Sequence, residues 1–424
     1  MKEARNVIPF RGLLYAAATI GDLGRVMAPP YDVISPEYQA RLYERHPHNV
    51  IRLILGKETT SDTPQDNRYV RAAKDLQDWT RQGVLIRDEQ PAIYLYEQKF
   101  RQDDAWRQRR GFIALRRLEE FGEKIRPHEQ TLSHAKADRL QLLRACQANL
   151  SPIFSIYSDP SVPELLSPRY QGQPALEFTD DDAGIHRLWR CTDPQLIDTI
   201  SAKMDQTKLL IADGHHRYET ALAYRNEMHS RTPGADPSSP FHYVMMFFAE
   251  SADPGLQILP THRLVLKPKF SSWPTVLSEL KSRFEVQAFS PPERARFLQS
   301  LVALTGKGRA FGVAAHQDPP FLLVSQRGDA ELEVLTVHNF LLRQLFKLPA
   351  EAEKNPSEVE YIRDSDELMK RLAEDRTRIA ILLNPISPAD LARTVETGTI
   401  LPPKTTFFYP KLWSGLVIHP LKTK

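Results

Sequence analysis

Between Arg68 and Arg81 the apolar residues Tyr69, Ala72, Ala73, Leu76 and Trp79 recur at the spacing of one helical face, and predict a helix. The runs PAIYLYEQKF and RQRRGFIALRRL are β-rich, and the polar segment 101–105 between them predicts a hairpin. His134–Leu150 reads as an amphipathic helix followed by the strand SPIFSIYSD; AGIHRLWRCTD reads as another strand and Asp193–Met204 as a further helix. FHYVMMFFAES is apolar without alternation, the mark of a strand buried on both faces. Beyond it, helices near 273–284, 291–303, 335–345 and 364–374 alternate with strands near 309–314, 320–325 and 378–383. Residues 160–180 are proline-rich and read as irregular, and Asn49–Leu55 is a short apolar run. The mixture predicts an α/β or α+β fold built from mixed sheets with helices.

A chain of 424 residues is long for one core, and two or three units are the expectation. The loop 231–240, RTPGADPSSP, is the clearest candidate boundary. It separates an N-terminal region, 1–230, from a C-terminal α/β region, 241–424, which completes the site; both belong to one larger unit. Composition narrows the partners. Lys and Arg number 56 against 53 Asp and Glu, so the whole chain has no charge drive toward nucleic acid or an anionic membrane. No apolar run approaches ~18 residues, and the first residues lack a secretory pattern. Two widely spaced cysteines, Cys146 and Cys191, suit neither a disulfide framework nor a thiolate zinc site. The expectation is a cytoplasmic protein with a small-molecule substrate; self-association into a homo-oligomer is allowed.

Chemistry concentrates where the strand TKLLIA meets the turn Asp213–Gly214 and a helix carrying Tyr218, Ala221, Leu222 and Arg225 on one face. That places His215, His216 and Arg217 in the first helical turn, where the macrodipole disfavours cations by about 0.3–1 kcal/mol unless an anion compensates. Free amides, imidazoles and a guanidinium converging after a glycine turn make a phosphate cradle. Asp213 could hold a divalent metal under those phosphates, or orient a neighbouring imidazole. The competing local reading has Asp213 cap the helix and pair with a cation, leaving the histidines on the surface.

Other proline-stiffened loops are polar. IRPHEQT carries His128 and Glu129, and Glu129 is placed to serve as a general base. Ser133, His134 and Lys136, in the following helix, read as ordinary helix-start chemistry. LPTHR offers His262 and Arg263, PPKTTFFYPK offers Lys404, Thr405 and Thr406 with Tyr409 and Lys411 nearby, and APPYDVIS offers Tyr31, Asp32 and Ser35. The Lys–Thr pair lacks the glycines of a Walker loop. Together these loops could surround one phosphorylated ligand.

The blocks VIPFRGL, APPYDVIS, NVIRLILG, PHEQTLSHAKADRLQLLRACQANLSPIFSIY, ADGHHRYETALAYR, LPTHR and PPKTTFFYPKLWSGLVI resemble, in succession, those of the domain of unknown function (DUF) 1015 family, from about residue 7 to residue 420. The family label states no activity. More remotely, DGHHRYETA is similar to the signature loop of the ParB/sulfiredoxin superfamily, which includes CTP-binding partition proteins and free-serine kinases, some using ADP. That resemblance implies a ParB/sulfiredoxin-like nucleotide-binding core, phosphate contacts for Gly214, His215, His216 and Arg217, and a metal or substrate contact for Asp213. Sulfiredoxin's reactive cysteine falls where this chain has His215, which sets sulfinic-acid repair aside.

The reading is therefore a nucleotide-dependent phosphotransferase, serine-kinase-like and linked to serine metabolism, using Mg²⁺ with ATP or ADP. Glu129, Asp32, Asp213 and His216 are its candidate catalytic residues. Gly214, His215, His216, Arg217, Lys404 and Thr405 would bind phosphate, and Tyr31, His128, His262 and Arg263 the substrate. A phosphatase of a small phospho-metabolite such as phosphoserine, and a non-catalytic nucleotide-binding regulator, are the alternatives.

Overall fold

The computed structural model describes residues 5–102, 104–129, 133–326 and 331–422, with side chains from Lys136 onward in the helix that opens at Ser133. The chain is a mixed α/β protein whose contacts divide it into two compact units. The first runs to Pro127, continues from the other side of that loop to Gln257, and takes in the stretch from Pro410 onward; the second holds His128, Glu129 and Ile258–Tyr409.

The first unit is built on one mixed sheet. Its strands are β1 (Val7–Ile8), β2 (Ile93–Gln102), β3 (Ala105–Arg117), β4 (Ile125–Arg126), β5 (Ile153–Tyr157), β6 (Leu176–Thr179), β7 (Ile185–Cys191), β8 (Leu209–Asp213) and β9 (Tyr243–Glu250). Their order is β4-β8-β5-β9-β3-β2-β7-β6, with β1 paired to β3. β2 and β3 form the expected hairpin, closing at Gln102 opposite Ala105. β9 lies in the middle, antiparallel to β3 and parallel to β5, and all eight of its residues are buried. Being covered on both faces explains its unbroken apolar run. The β3–β9 approach is close enough to require glycine: a Cβ on Gly111 would lie 2.3 Å from the Phe248 carbonyl oxygen. Phe112, Ile153, Ile211, Tyr218, Met246 and Phe248 belong to one core.

Helices cover this sheet. They include α1 (Pro36–Arg45), α2 (Arg68–Arg81), α3 (Ser133–Cys146), α4 (Pro194–Asp205) and α5 (His215–Arg231). Asn67 caps α2, its side chain accepting from the amides of Tyr69 and Val70, and Asp193 caps α4 in the same way. The segment 160–180 is more ordered than its prolines suggest, with a helix at Ser161–Leu166 and the edge strand β6. The apolar run 49–55 forms a short helix, Ile51–Ile54, rather than a longer element. The polar segment 231–240 joins α5 to β9 inside the first unit.

The second unit has a six-stranded antiparallel sheet of β10 (His262–Val265), β11 (Glu285–Phe289), β12 (Ala310–Ala315), β13 (Phe321–Ser325), β14 (Val359–Ile362) and β15 (Ile379–Leu383), ordered β11-β13-β12-β15-β10-β14. Helices α6 (Trp273–Arg283), α7 (Arg294–Ala303), α8 (Ser365–Ala373) and α9 (Pro388–Glu396) accompany it, around a core that includes Leu264, Phe297, Ala314 and Leu382. A π-helical stretch, Val337–Leu345, carries His338.

Candidate functional site

In the first unit, β8 ends at Asp213 and the chain turns through Gly214, at φ +92°, directly into α5. The first helical bond closes from the Tyr218 amide to the Gly214 carbonyl at 3.0 Å. Gly214 occupies the N-cap, where it has no side chain to cap the helix. Asp213 instead gathers cations. Its Oδ2 accepts from Arg217 Nη2 at 2.9 Å, and its Oδ1 accepts from Lys411 Nζ at 2.7 Å. Burial pushes the Asp213 carboxyl up, but Lys411, Arg217 and the nearby His215 outweigh it and hold the group far below the usual carboxylate range. Arg217 Nη1 donates to the Pro152 carbonyl, and its buried Nε has no hydrogen-bond partner among the described residues. His215 is buried, whereas His216 is half-buried, its carbonyl accepting from Thr220 Oγ1.

A second carboxylate continues the cluster. Arg139 Nε and Arg68 Nη2 both donate to Asp138 at 2.6 Å, and Tyr69 adds its hydroxyl at 2.8 Å. The Arg139 guanidinium stacks 4.0 Å over the Tyr31 ring. Burial pushes the Tyr31 phenol up to about 12, against Arg139 and Arg217. Asp32, beside it in the short turn Tyr31–Val33, is exposed. Four cations thus share Asp138 and Asp213, and the exposed Glu58 reaches only Arg68.

The reach of Lys411 is set from β2 and β3. Fully buried Arg109 lies 4.7 Å over the Phe154 ring, with Nε donating to Gln98 Oε1 at 3.1 Å and Nη2 to the Pro410 carbonyl at 2.5 Å. Gln98 Nε2 donates to the Lys411 carbonyl at 2.9 Å. The two side chains pin consecutive carbonyls, so the Lys411 side chain leaves the backbone at a fixed point.

The second unit gathers the other predicted residues in a cluster of its own. Glu129 Oε1 accepts from the Thr406 amide at 2.9 Å and its hydroxyl at 3.0 Å, while His128 Nε2 lies 2.6 Å from the same hydroxyl. Thr405 is buried and donates to the Pro402 carbonyl; Lys404 has the strained φ of +57°. Arg263 is fully buried, and its Nε donates to His338 Nε2 at 3.3 Å, while His338 Nδ1 stands 3.0 Å from Glu353. His262 accepts from the Leu383 amide at 3.2 Å. Burial, reinforced by Arg263, lowers His262 to about 4.

Residues 7–341 match a family model described as "Protein of unknown function (DUF1015)". The chain belongs to this family. No curated protein matches this DUF1015 chain. Solved structures similar to it include a conserved hypothetical protein from Pyrococcus furiosus, 14% identical with a TM-score of 0.34, covering 70% of this chain and 94% of that one. Free serine kinase in complex with AMP is 13% identical with a TM-score of 0.35, covering 69% and 89%. A C-terminally truncated SbnI from Staphylococcus aureus is 13% identical with a TM-score of 0.39, covering 73% and 87%. Likeness this remote says nothing of the chemistry at Asp213.

For the DUF1015 protein the donor set does not fit a metal held by the chain alone. Both Asp213 oxygens are engaged by cations, and among the described residues no three His, Cys, Asp or Glu side chains group as ligands. Arg109, Arg139 and Gln98 are the residues sequence reasoning left out of the site, and Lys411 it read only as a neighbour of the Lys–Thr loop. The Ser133 and His134 side chains lie outside the described residues, and Lys136 pairs with Glu219 at 3.1 Å. Among the described residues no helix is long and apolar enough to cross a membrane.

Gly214 permits a direct check. A Cβ there would meet Arg217 Nη2 at 2.9 Å and Cζ at 3.0 Å, on a backbone at φ +92°. Gly214→Ala is expected to cost about 1–2 kcal/mol of left-handed strain, lowering Tm by about 2–6 °C, and to push the guanidinium off Asp213. Thermal unfolding reads the first effect and phosphate titration the second; an unchanged Tm would refute the strain.

Proposed function

We propose that the Asp213 cluster binds the phosphates of a nucleotide, and that the DUF1015 protein is a phosphotransferase acting on a small hydroxyl metabolite, serine being the first candidate. The observation that carries this reading is the gathering of Arg217, Lys411 and Arg139 on two carboxylates, Asp213 and Asp138, among the described residues, with Arg217 in the first turn of α5. Such an arrangement presents positive charge and backbone amides where phosphate charge would develop. The resemblance of DGHHRYETA to a nucleotide-binding signature supports it.

In the reaction proposed, the substrate hydroxyl oxygen attacks the terminal phosphorus of ATP or ADP. A new P–O bond forms, the bridging P–O bond of the nucleotide breaks, and the hydroxyl proton passes to a carboxylate. Asp32 is given that role because it neighbours Tyr31, whose ring meets Arg139. Glu129 is the rival base. Arg217 and Lys411 would stabilise the moving phosphoryl group, and Mg²⁺ would enter with the nucleotide.

Incubation with Mg²⁺, ATP or ADP, and serine should yield phosphoserine. Arg217→Ala should lower the rate by roughly 100-fold or more, the scale of losing one transition-state donor. Asp32→Asn against Glu129→Gln separates the two bases. Absence of any phosphorylated product from serine, threonine or other common hydroxy amino acids at high enzyme would end the kinase reading. Phosphate release from phosphoserine without nucleotide would put a phosphatase in its place.

A further inference from the structure

The Asp213 cluster borders a cleft with a largely apolar lining. Ile54, Leu142, Leu150 and Val244, all buried, line it, together with Arg139 and Arg217. Three of its other polar neighbours are engaged: Asn149 Oδ1 accepts from the Met245 amide, Ser151 bonds Ser414, and Thr220 donates to the His216 carbonyl. Among the described residues the buried Arg217 Nε has no hydrogen-bond partner, whereas Arg139 is held by Asp138 and the Ile54 carbonyl. An apolar lining that carries two guanidiniums is the form of a site for a small amphipathic anion.

We infer that this cleft holds the aliphatic body of the acceptor, with its oxyanion, carboxylate or phosphate, directed to Arg139 and Arg217. The inference rests on the phosphotransferase reading and narrows its substrate to short aliphatic hydroxy acids or their phosphate esters. Size supports the limit. The cleft encloses about 70 Å³, less than half of the about 150 Å³ that accommodates benzene in an engineered apolar cavity. A chain of three or four carbons fits it.

The probes are inorganic phosphate, n-propyl phosphate and butyrate, titrated calorimetrically into the full chain. Each buried methylene is worth about four-fold in affinity, so propyl phosphate should bind more than ten-fold tighter than phosphate. Ala148→Leu, which fills the cleft, should erase that preference and leave phosphate affinity intact. Leu142→Ala, which enlarges the cleft, should instead favour n-pentyl phosphate, so a poorly folding first variant leaves the idea testable. Equal affinity for phosphate and propyl phosphate in the wild type would overturn the inference and leave the phosphate site standing. Butyrate binding that is lost in Ala148→Leu, with no phosphate binding at all, would support the cleft as a carboxylate site and end the phosphotransferase reading. No binding of any probe would end both.

Discussion

Asp213→Ala is expected to destabilise the protein by about 2–3 kcal/mol and to make it bind phosphate more tightly than the wild type does. Removing one partner of a buried ion pair costs roughly 3–5 kcal/mol, because the remaining charges lose both hydration and partner. The Lys411, Arg217 and Asp213 side chains keep 12%, 17% and 18% exposure, so the lower figure applies. For a domain of this size that is a drop of about 5–10 °C in Tm.

The second half of the prediction separates a structural ion pair from a ligand cradle. With Asp213 gone, Lys411 Nζ and Arg217 Nη2 lose the one carboxylate they share. Phosphate, bound only by the folded state, restores stability by mass action, about 1.4 kcal/mol when its concentration is ten times Kd. The Tm gain on adding phosphate, at constant ionic strength against chloride, should therefore be larger in Asp213→Ala than in the wild type. An equal gain, or none, would mean the cations only brace the end of β8. Phosphoryl transfer should fall in the same variant, since an anion bound more tightly in the ground state raises the barrier to its transfer.

What could be read from the chain follows from the range of the forces involved. The face of Tyr69, Ala72, Leu76 and Trp79, the buried run of β9 and the turn at Gly214 depend on neighbours a few residues away, and the structure has each. Helix α9 carried a local signal too, Ser387 at the cap and Pro388 at the first position. The segment 160–180 was obscured because prolines punctuate a short helix and a one-sided edge strand. The site is different in kind. Lys411 reaches Asp213 across 198 positions, Arg109 holds Pro410 across 301, and Glu129 holds Thr406 across 277. No periodicity reports such pairs, so Arg217 and Asp213 were visible as a charged oddity, while Lys411 was visible only as a neighbour of the Lys–Thr loop and not as the partner of Asp213. Among the predicted residues, Asp213, Gly214, His215, His216, Arg217, Tyr31 and Asp32 lie in the first unit, and His128, Glu129, His262, Arg263, Lys404 and Thr405 in the second.

Acid should weaken the second unit well before its carboxylates titrate. His262 and His338 are both lowered to about 4 by burial, with Arg263 working in the same direction on each. The geometry at His338 explains why the ring stays neutral. Its Nε2 accepts from Arg263 Nε, so the proton belongs on Nδ1 toward Glu353, and a second proton would set two donors against each other. In the unfolded chain both rings return to the ordinary histidine value of 6.5. Between pH 6.5 and 4 the unfolded state therefore binds more protons than the folded one, and stability must fall as pH falls. Lowering one ring's pKa by 1 on folding is worth about 1.4 kcal/mol, so the two histidines together withdraw roughly 6 kcal/mol across that window. That is comparable with the whole stability of a typical domain, about 5–15 kcal/mol. Carboxylates held low by ion pairs contribute only at lower pH, so the histidine window is separately visible. Urea unfolding at half-unit steps from pH 7 to pH 4 should show the decline, and His338→Gln, which keeps an acceptor for Arg263 without a titrating ring, should make it shallower. Stability that stays flat from pH 6.5 to pH 4.5 would mean that neither ring is held neutral in the fold.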